Sequence, residues 1–342
     1  MMTERLQKLY SLGVKYPIMQ AGMPVAGNVR LAAAVSRAGG IGTLGLQDVS
    51  VWEQSLKQLK QQAADHPVNA NLLLPYTRKA HVQAVIRQQM PIVTLFWGKA
   101  SPYVKPLQGA GCFLFQQVGS VDEAKQALDA GVDGLIVQGE EAGGHVRGQL
   151  KLGELLPQVR ALTQDIPCFA AGGIYSAGDV RQAITLGADG VSTGSRFLLT
   201  YESGAHPAYK KRLLEASQTL KTTLFGLGWA TPHRVVPNAA TRRWCDENGA
   251  VPGWLDGINK AFGFTRKIAP FKPDAARSQR ADVPFFTNAV IPEYLSADLV
   301  ESCPLYVGER VKELTDIQPA AQVVQSLAQG FEHDEPKRQR QA

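Results

Sequence analysis

Eight short apolar segments alternate with helical patterns from residue 16 onward, and glycine-rich loops follow the last two of these segments. Such alternation predicts parallel β/α architecture, and eight strands are the number that closes a barrel. We therefore predict an α/β fold, a (β/α)8 TIM barrel with a smaller inserted domain near the C-terminus. The predicted strands cover residues 17–21, 40–45, 68–74, 92–98, 111–118, 134–139, 167–173 and 190–197.

The segments between these strands carry helix start and stop signals. An amphipathic repeat over residues 29–35 ends at Ala38-Gly39-Gly40, just before the second strand. Ser120 is the expected N-cap of a later helix, and Gly131 is its expected C-terminal glycine. A third copy of this plan begins at Ser176. The pattern therefore places a helix after each of these strands.

One segment, Gly40-Ile-Gly42-Thr-Leu-Gly45, matches the dinucleotide-binding pattern G-x-G-x-x-G. That motif binds a pyrophosphate only where it follows a strand and opens a helix. Here a helical pattern precedes the glycines, and the apolar Ile41 and Leu44 are typical of a strand. We interpret the segment as the second barrel strand and not as a nucleotide site.

The pattern changes after Thr200. Residues 219–290 are rich in Trp, Gly and Pro, so we predict a barrel over residues 1–218 and an inserted cap domain over 219–290. Residues 291–342 are expected to return to the barrel, with a closing helix from Pro319 and a disordered tail at about 333–342.

The inserted segment is basic. The formal net charge of the chain is +6, and residues 219–290 hold ten basic residues against five acidic ones, or +5. A basic module beside a pocket would attract an anion such as a nucleotide, an acyl carrier or a small acid. A merely solvated basic surface explains the charge equally well. Nucleic-acid binding is not expected, because the charges are not interleaved with stacking aromatic residues.

The composition, with 44% hydrophobic and 19% charged residues, is that of an ordinary globular protein. The charged N-terminus lacks the apolar core of a signal peptide, and no apolar run has the length of a membrane span. The four cysteines lie far apart and form no Cys-x-x-Cys pair. We expect a cytoplasmic protein without a disulfide framework, a metal site or a membrane partner.

The segment Gly139-Glu-Glu-Ala-Gly-Gly-His145 directly follows the sixth predicted strand. Adjacent glycines leave room for a ligand and for neighbouring backbone, so a histidine here would be displayed instead of buried. An imidazole with a pKa near 6.5 can act as a general base or as a cationic partner of an anion. The alternative is a turn with a solvated histidine. At the end of a barrel strand, His145 is the candidate catalytic residue.

Two glycine-rich loops end the seventh and eighth strands, at Ala170-Ala171-Gly172-Gly173 and at Thr193-Gly194-Ser195. Backbone N–H groups after these two strands bind phosphate in many barrels. The alternative is that the glycines serve only tight strand-to-helix turns. With His145 beside them, the loops predict a phosphorylated ligand across the barrel mouth.

The remaining strand ends offer small and amide side chains. Strand one ends in Ala21-Gly22-Met23, a small-residue edge suited to a flat ring. Amides follow on strand three at Asn69 and Asn71, on strand five at Gln117 and on strand six at Gln138. Amides donate to and accept from ring heteroatoms. Each alone is more often a satisfied structural amide. Together they favour a heterocyclic cofactor.

The segments 17–23, 139–145, 170–174 and 187–197, in this order, resemble those of the nitronate monooxygenase family, formerly the 2-nitropropane dioxygenases. The similarity covers most of the chain, including Gly228 to Asn238 and Pro304 to Glu309. The resemblance implies an FMN-dependent TIM barrel with a smaller inserted domain.

The resemblance also implies roles for individual residues. His145 matches the active-site histidine, Ala21, Gly22 and Met23 would flank the flavin, and Gly172, Gly173, Gly194 and Ser195 would hold its phosphate. Asn69, Gln117, Gln138, Gly139, Gly144 and Ala171 complete the expected cofactor site. Many relatives have a lysine near the flavin where this chain has Gln117, and Ser195 stands where threonine is frequent.

The function implied is FMN-dependent oxidation of alkyl nitronates by O2 to a carbonyl compound and nitrite. The alternative keeps the flavin and makes the chain an NAD(P)H-dependent reductase of quinones or enoyl thioesters, like enoyl-acyl-carrier-protein reductases. A third interpretation is a barrel that serves only as a scaffold. Since one fold serves several chemistries, the substrate, the use of NAD(P)H and the role of His145 stay open at this point.

Overall fold

The computed structural model describes residues 4–163, 165–264 and 273–331. Eight parallel strands form one sheet, in the order β1-β9-β8-β6-β5-β4-β3-β2. A bridge between Met19 and Ile41 joins β1 to β2 and closes the barrel. The predicted (β/α)8 TIM barrel is confirmed. Its strands are β1 (Ile18–Gln20), β2 (Gly42–Leu44), β3 (Val68–Leu73), β4 (Ile92–Phe96), β5 (Phe113–Val118), β6 (Gly134–Gln138), β8 (Cys168–Ala171) and β9 (Gly190–Thr193).

Helices cover the outside of the barrel and link its strands. The linking helices are α2 (Val29–Arg37), α3 (Val49–Ala63), α4 (Lys79–Arg87), α5 (Ser101–Gly109), α6 (Val121–Ala130), α7 (Leu152–Leu162) and α8 (Ala177–Thr185). Helix α13 (Ala320–Ala328), at the end of the described chain, packs against α2 and α8 and takes the eighth place in the ring. The closing helix expected after Pro319 is therefore present.

The predicted caps are present where the sequence placed them. The Ser120 hydroxyl accepts a hydrogen bond from the Glu123 backbone N–H at 3.2 Å and begins α6. Gly131 ends the same helix with φ at +82°, a conformation that glycine adopts without strain. Ser176 likewise caps α8 by accepting from the Asp179 N–H at 3.2 Å.

The second predicted strand is present, and the eighth is shorter than predicted. The G-x-G-x-x-G look-alike contains β2, as predicted, and its glycines serve packing, because a Cβ on Gly42 would overlap the Ala32 carbonyl of α2. The eighth strand was predicted too long. It ends at Thr193, and the chain turns at once into α9 (Ser195–Leu198), so Gly194 stands at a strand-to-helix turn.

Aromatic side chains pack against one another in the interior of the barrel. Phe113, Phe115 and Phe169 pack in sequence with centroids 5.1 Å and 5.0 Å apart. The sequence analysis missed helix α1 (Glu4–Ser11), whose fully buried Leu9 belongs to this same cluster and seals one end of it. The opposite end, where strands lead into their longer loops, is open to a ligand.

Residues 219–290 contain a compact region with its own small core. It holds β10 (Leu220–Thr222), β11 (His233–Val235), α11 (Ala239–Trp244) and α12 (Gly253–Ala261), and α10 (Pro207–Leu214) precedes it. Its core is formed by Leu224, Phe225, Val235, Ala240, Leu255 and Phe286. The domain boundaries at 219 and 290 stay a prediction. The expected disordered tail at 333–342 lies outside the described residues.

This region is joined to the barrel by a second sheet. The loop after β6 forms a short strand, β7 (Gly144–His145), which pairs antiparallel with β11, itself paired with β10. The histidine loop of the barrel is thus an edge of the inserted region's sheet. Among the described residues, no helix is both long and apolar enough to cross a lipid bilayer.

Candidate active site

A cavity opens at the carboxyl ends of the barrel strands and extends toward the inserted region. It brings together most of the residues singled out from the sequence. These are Ala21, Gly22, Met23, Gln117, Gln138, Gly144, His145, Ala171, Gly172, Gly173, Gly194 and Ser195. Its lining is mostly apolar with a few polar groups, which is typical of sites for small organic ligands and cofactors.

His145 is held in place by backbone and side-chain hydrogen bonds. In the ladder between β7 and β11 it lies opposite His233. The Gln138 amide donates from Nε2 to the His145 carbonyl at 3.1 Å and accepts at Oε1 from the Arg147 N–H at 2.9 Å. Gln138 was expected to bind a cofactor; it lines the cavity, but its amide holds the backbone of His145 and of Arg147.

The sequence suggested a freely displayed histidine. In the structure, the imidazole of His145 lies among aromatic rings instead. It stacks on Trp229 with centroids 4.2 Å apart and an interplanar angle of 24°. Trp97, His233 and Tyr306 surround it at centroid distances of 6.2, 5.4 and 5.5 Å. Its Nε2 is buried and has no hydrogen-bond partner in the described part of the chain.

Burial, reinforced by the neighbouring His233, lowers the pKa of His145 well below 6.5. The pKa of His233 is about 4, again because of burial, with the Thr231 carbonyl opposing the shift. Both rings are therefore neutral near pH 7. Of the two roles left open by the sequence, this favours an uncharged hydrogen-bonding group or base over a cationic partner.

His233 itself is a structural histidine with both nitrogens occupied. Its Nδ1 lies 2.9 Å from the Thr231 carbonyl oxygen, and its Nε2 lies 3.3 Å from the Phe225 backbone N–H. Since that N–H can only donate, Nε2 must accept and Nδ1 must carry the proton. These two contacts hold His233, on β11, in one orientation beside the His145 ring.

The two glycine loops form a cradle of unused N–H groups. Gly172 and Gly173 have φ of +113° and +65°, which a residue with a Cβ rarely adopts. Among the described residues, no hydrogen bond uses the backbone N–H of Gly172, Gly173, Gly194 or Ser195. Successive free N–H groups in such a turn favour an anion.

A segment that the sequence analysis did not assign to the site, residues 307–310, ties these loops together. The Gly308 N–H donates to the Ser195 hydroxyl at 3.0 Å, and Arg310 donates from Nη1 to the Gly173 carbonyl at 2.8 Å. A Cβ on Gly143 would overlap the Val307 and Gly308 backbone. The late Val-Gly-Glu-Arg sequence thus contacts the histidine loop and both glycine loops.

One part of the cavity wall is lined with small groups, among them Ala21, Gly22 and Gly194. A Cβ on Gly22 would overlap the Asn71 side chain, and one on Gly194 would lie 3.5 Å from the Ala21 Cβ. Gln117 also lines the cavity, and none of the hydrogen bonds found among the described residues uses its side-chain amide. This surface leaves room for a flat ring and presents one free amide to it.

Two expected residues lie outside the cavity. Asn69 is near the beginning of β3, inside the barrel, where its Nδ2 donates to the Thr43 and Thr94 hydroxyls at 3.1 and 2.8 Å. Asn71, two residues nearer the open end, lines the cavity instead. Gly139 donates its N–H to the Ala171 carbonyl at 2.9 Å and packs on Leu152, so it supports the loop without facing the ligand space.

The sequence analysis missed several cavity residues. Trp229, Asn288, Val290 and Tyr306 come from the inserted region or follow it, and Tyr175 follows the first glycine loop. Their positions depend on how the inserted region packs on the barrel, which no local motif encodes. In the sequence, the Gly228-Trp229 pair in a glycine-rich stretch was the one pattern that could have indicated a cavity residue in this region.

Comparison with known proteins agrees with this geometry. The model of the nitronate monooxygenase family matches residues 5–95 and 79–330. The probable nitronate monooxygenase of Bacillus subtilis is 32% identical over 363 residues, covering 92% of this chain and 95% of that protein. A similar chain from Rhodococcus jostii, named (3aS,4S,5R,7aS)-5-hydroxy-7a-methyl-1-oxo-octahydro-1H-indene-4-carboxyl-CoA dehydrogenase, is 32% identical over 255 residues, 74% of this chain and 71% of its own.

Among solved structures, FabK from Thermotoga maritima superposes with a TM-score of 0.76 at 26% identity, covering 99% of each chain. Nitroalkane oxidase from Streptomyces ansochromogenes gives a TM-score of 0.76 at 24% identity over 96% of this chain and 99% of its own, which supports the fold alone. The match to the family model and to the Bacillus protein covers nearly the whole described chain. This chain therefore belongs to the nitronate monooxygenase family, a family of flavin-dependent oxidoreductases.

Proposed function

We propose that the chain binds FMN and oxidises alkyl nitronates, with O2 as the oxidant, to a carbonyl compound and nitrite. The observation that supports this most is the buried, unpartnered Nε2 of His145, on a ring that lines the same cavity as the glycine cradle. A buried polar atom without a partner costs about 1–3 kcal/mol, so such atoms are typical of ligand sites. Together, this atom and the glycine cradle support a ligand with both a phosphate and a polar reacting end.

The residues present fit FMN. The N–H groups of Gly172, Gly173, Gly194 and Ser195 would hold its phosphate, and the small-residue wall at Ala21-Gly22-Met23 would lie against its ring. Bound FMN would supply the electron acceptor that no amino-acid side chain provides. The free amide of Gln117 would be available to a ring heteroatom.

His145 would act as a neutral group at Nε2. With the proton on Nδ1, Nε2 presents a lone pair that can remove the α-proton of a neutral nitroalkane. With the proton on Nε2, the same atom donates a hydrogen bond to the oxygen of a nitronate that is already ionised. Trp229 fixes the ring plane in either case.

The aromatic side chains around His145 determine which part of a substrate fits beside the imidazole. Phe96, Trp229 and Tyr306 line the space around the imidazole and provide an apolar surface for an alkyl group. By excluding water, these rings would strengthen the hydrogen bond from His145 to the reacting atoms. An alkyl nitronate combines the anionic head and the apolar tail that such a pocket favours.

The neutral side chain of Gln117 would affect how easily a bound flavin is reduced and reoxidised. A cation beside the ring stabilises a reduced, anionic flavin, and a neutral amide does so less. We infer that the flavin of this chain is more easily reoxidised than that of relatives with a lysine at this position. That property suits O2 as the final acceptor.

One other function has specific support. The likeness to FabK and to a relative named as a carboxyl-CoA dehydrogenase favours an NAD(P)H-dependent reductase of enoyl thioesters, with quinones as a further acceptor class. This candidate uses the same cradle and the same His145, and it differs in the electron donor. The two functions are therefore separated by the reductant and not by the site.

The test is turnover with matched histidine variants. Flavin-loaded protein should consume O2 and release nitrite when given short alkyl nitronates. His145→Gln should lower kcat/KM by roughly 100-fold, the range for loss of a general base. His66→Gln, at an exposed histidine, should leave it unchanged. Absence of nitrite with every short nitronate, in protein that binds FMN, would contradict the proposal.

A further inference from the structure

The hydroxyl of Tyr175 lies where the loops of the cradle meet. Tyr175 follows Gly172-Gly173-Ile174 directly and lines the cavity with them. Its oxygen packs so closely on Gly308 that a Cβ on that glycine would overlap it. The Ser195 hydroxyl is nearby, but it accepts from the Gly308 N–H at 3.0 Å and does not form a hydrogen bond with the tyrosine.

The position of this side chain is fixed on several sides. The Tyr175 N–H donates to the Asp179 carboxylate at 2.9 Å, and the Arg310 guanidinium lies 5.7 Å from the ring centroid. Arg310 also donates to Asp179 at 2.7 Å, so backbone, ring and cation form one connected unit. The hydroxyl therefore has little freedom to find another partner.

The Tyr175 hydroxyl is a donor that has no acceptor. Its oxygen is buried and has no hydrogen-bond partner within the described residues. Burial raises the pKa of Tyr175 to about 12, so the proton stays on the oxygen at neutral pH. Leaving such a donor unpaired is costly, and a phosphate oxygen is a strong acceptor.

The rest of the cavity makes this donor important. Among the residues that line it in the described chain there is no lysine and no arginine. A phosphate in the cradle would therefore be held by backbone N–H groups and by neutral hydroxyls. Each such donor should contribute visibly to affinity, because no fixed positive charge dominates the interaction.

We propose that the Tyr175 hydroxyl donates a hydrogen bond to the phosphate of FMN, with Arg310 as the residue that positions the ring. This inference rests on the proposed flavin site and adds a phosphate ligand that the glycine loops do not supply. It makes one side chain, together with the backbone cradle, part of what distinguishes FMN from the unphosphorylated flavin.

The test compares two ligands that differ only in the phosphate. Flavin-free protein is titrated with FMN and with riboflavin, following the quenching of flavin fluorescence, for wild type, Tyr175→Phe and Tyr201→Phe. Tyr201 is a surface tyrosine with 63% of its area exposed and serves as the matched control. Tyr175→Phe should raise the Kd for FMN by roughly tenfold or more and leave the Kd for riboflavin unchanged.

The outcomes separate this inference from the proposed function. Equal weakening of FMN and riboflavin, or no weakening of either, with tight FMN binding by wild type, would overturn the role of Tyr175 alone. Failure of wild type to bind FMN would overturn the flavin site itself and this inference with it. A shift in the 31P resonance of bound FMN between wild type and Tyr175→Phe is expected, and an unchanged resonance would count against the contact.

Discussion

His145 stacks face to face on Trp229, with ring centroids 4.2 Å apart and planes inclined by 24°. The histidine comes from the barrel and the tryptophan from the inserted region, so the reactive ring is positioned by both. The same two parts are joined by the ladder between β7 and β11. The barrel alone would present the imidazole without its support.

Trp229 should therefore matter for catalysis as well as for packing. We expect Trp229→Ala to lower kcat/KM with an alkyl nitronate by about tenfold, because an aromatic pair contributes roughly 0.5–1.5 kcal/mol beyond its buried area. Trp229→Phe keeps a stacking surface and should lose less. The measurement is steady-state oxygen consumption by flavin-loaded protein. Equal activity of the alanine and phenylalanine variants would show that the stack does not orient His145.

The pH dependence of the reaction follows from the lowered pKa of His145. Because burial disfavours the charged imidazole, His145 should stay neutral from pH 8 to below pH 6.5. We expect the first-order rate of flavin reduction by bound nitronate to be flat over that range and to fall only at lower pH. An inflection at or above pH 6.5, absent in His145→Gln, would contradict a neutral, buried ring.

The stability of the protein should depend on pH through His233. The pKa of His233 is about 4 when folded and near 6.5 when unfolded, so between these values the unfolded chain binds a proton that the folded one does not. The contribution of His233 to the free energy of unfolding is therefore fully present above pH 6.5. It falls as the pH decreases toward 4, by roughly 1.4 kcal/mol per pH unit for this group.

Urea unfolding at pH 7.5, 6 and 5 measures this effect. His233→Asn, whose amide can still donate to the Thr231 carbonyl, should show a shallower loss of unfolding free energy on acidification than wild type. His66→Asn, at an exposed position, should keep the wild-type slope. If all three proteins lose stability at the same rate, the buried His233 is not the source.

Gly143 should tolerate no side chain. A Cβ there would overlap main-chain atoms of Val307 and Gly308, which cannot move without displacing the Ser195 contact. We expect Gly143→Ala to lower the Tm by several degrees and to weaken FMN binding. Gly153→Ala, in α7 with open space around its Cβ position, is the matched control and should be neutral or slightly stabilising. Similar Tm values for the two variants would show that the 307–310 segment moves easily to accommodate the added methyl group.

Arg310 should order the first glycine loop. It donates to the Gly173 carbonyl and to Asp179 at 2.8 and 2.7 Å, and it also pairs with the exposed Glu313. Arg310→Met should speed amide hydrogen exchange at Tyr175 and Ser176, because their N–H groups donate to the Asp179 carboxylate that Arg310 holds in place. Glu313→Gln removes only a surface ion pair and should have little effect. Unchanged exchange in Arg310→Met would rule out this positioning role.

Much of the barrel follows from local signals in the sequence. Caps such as Ser120 and Gly131 and the strand-like Ile41 and Leu44 act within a few residues, so the position of each β/α unit was predicted closely. Helix α1 was missed because its eight residues have few apolar positions, and only the barrel interior explains its Leu9.

The site was predictable only in part, for a physical reason. Glycine loops and His145 lie at strand ends, whose meeting place is set by barrel geometry. Trp229, Tyr175 and Arg310 take their places through long-range packing between the inserted region, the first glycine loop and the segment 307–310. Asn69 and Asn71 share a face of one strand, and only depth in the barrel distinguishes them.

The central claim is that this site takes electrons from an alkyl nitronate. The most direct measurement mixes flavin-loaded protein anaerobically, in a stopped-flow instrument, with an alkyl nitronate, NADH or NADPH and follows the loss of flavin absorbance. The account predicts rapid loss with the nitronate and little change with either dinucleotide. Rapid loss with NADH or NADPH and none with any short nitronate would contradict it and favour the reductase.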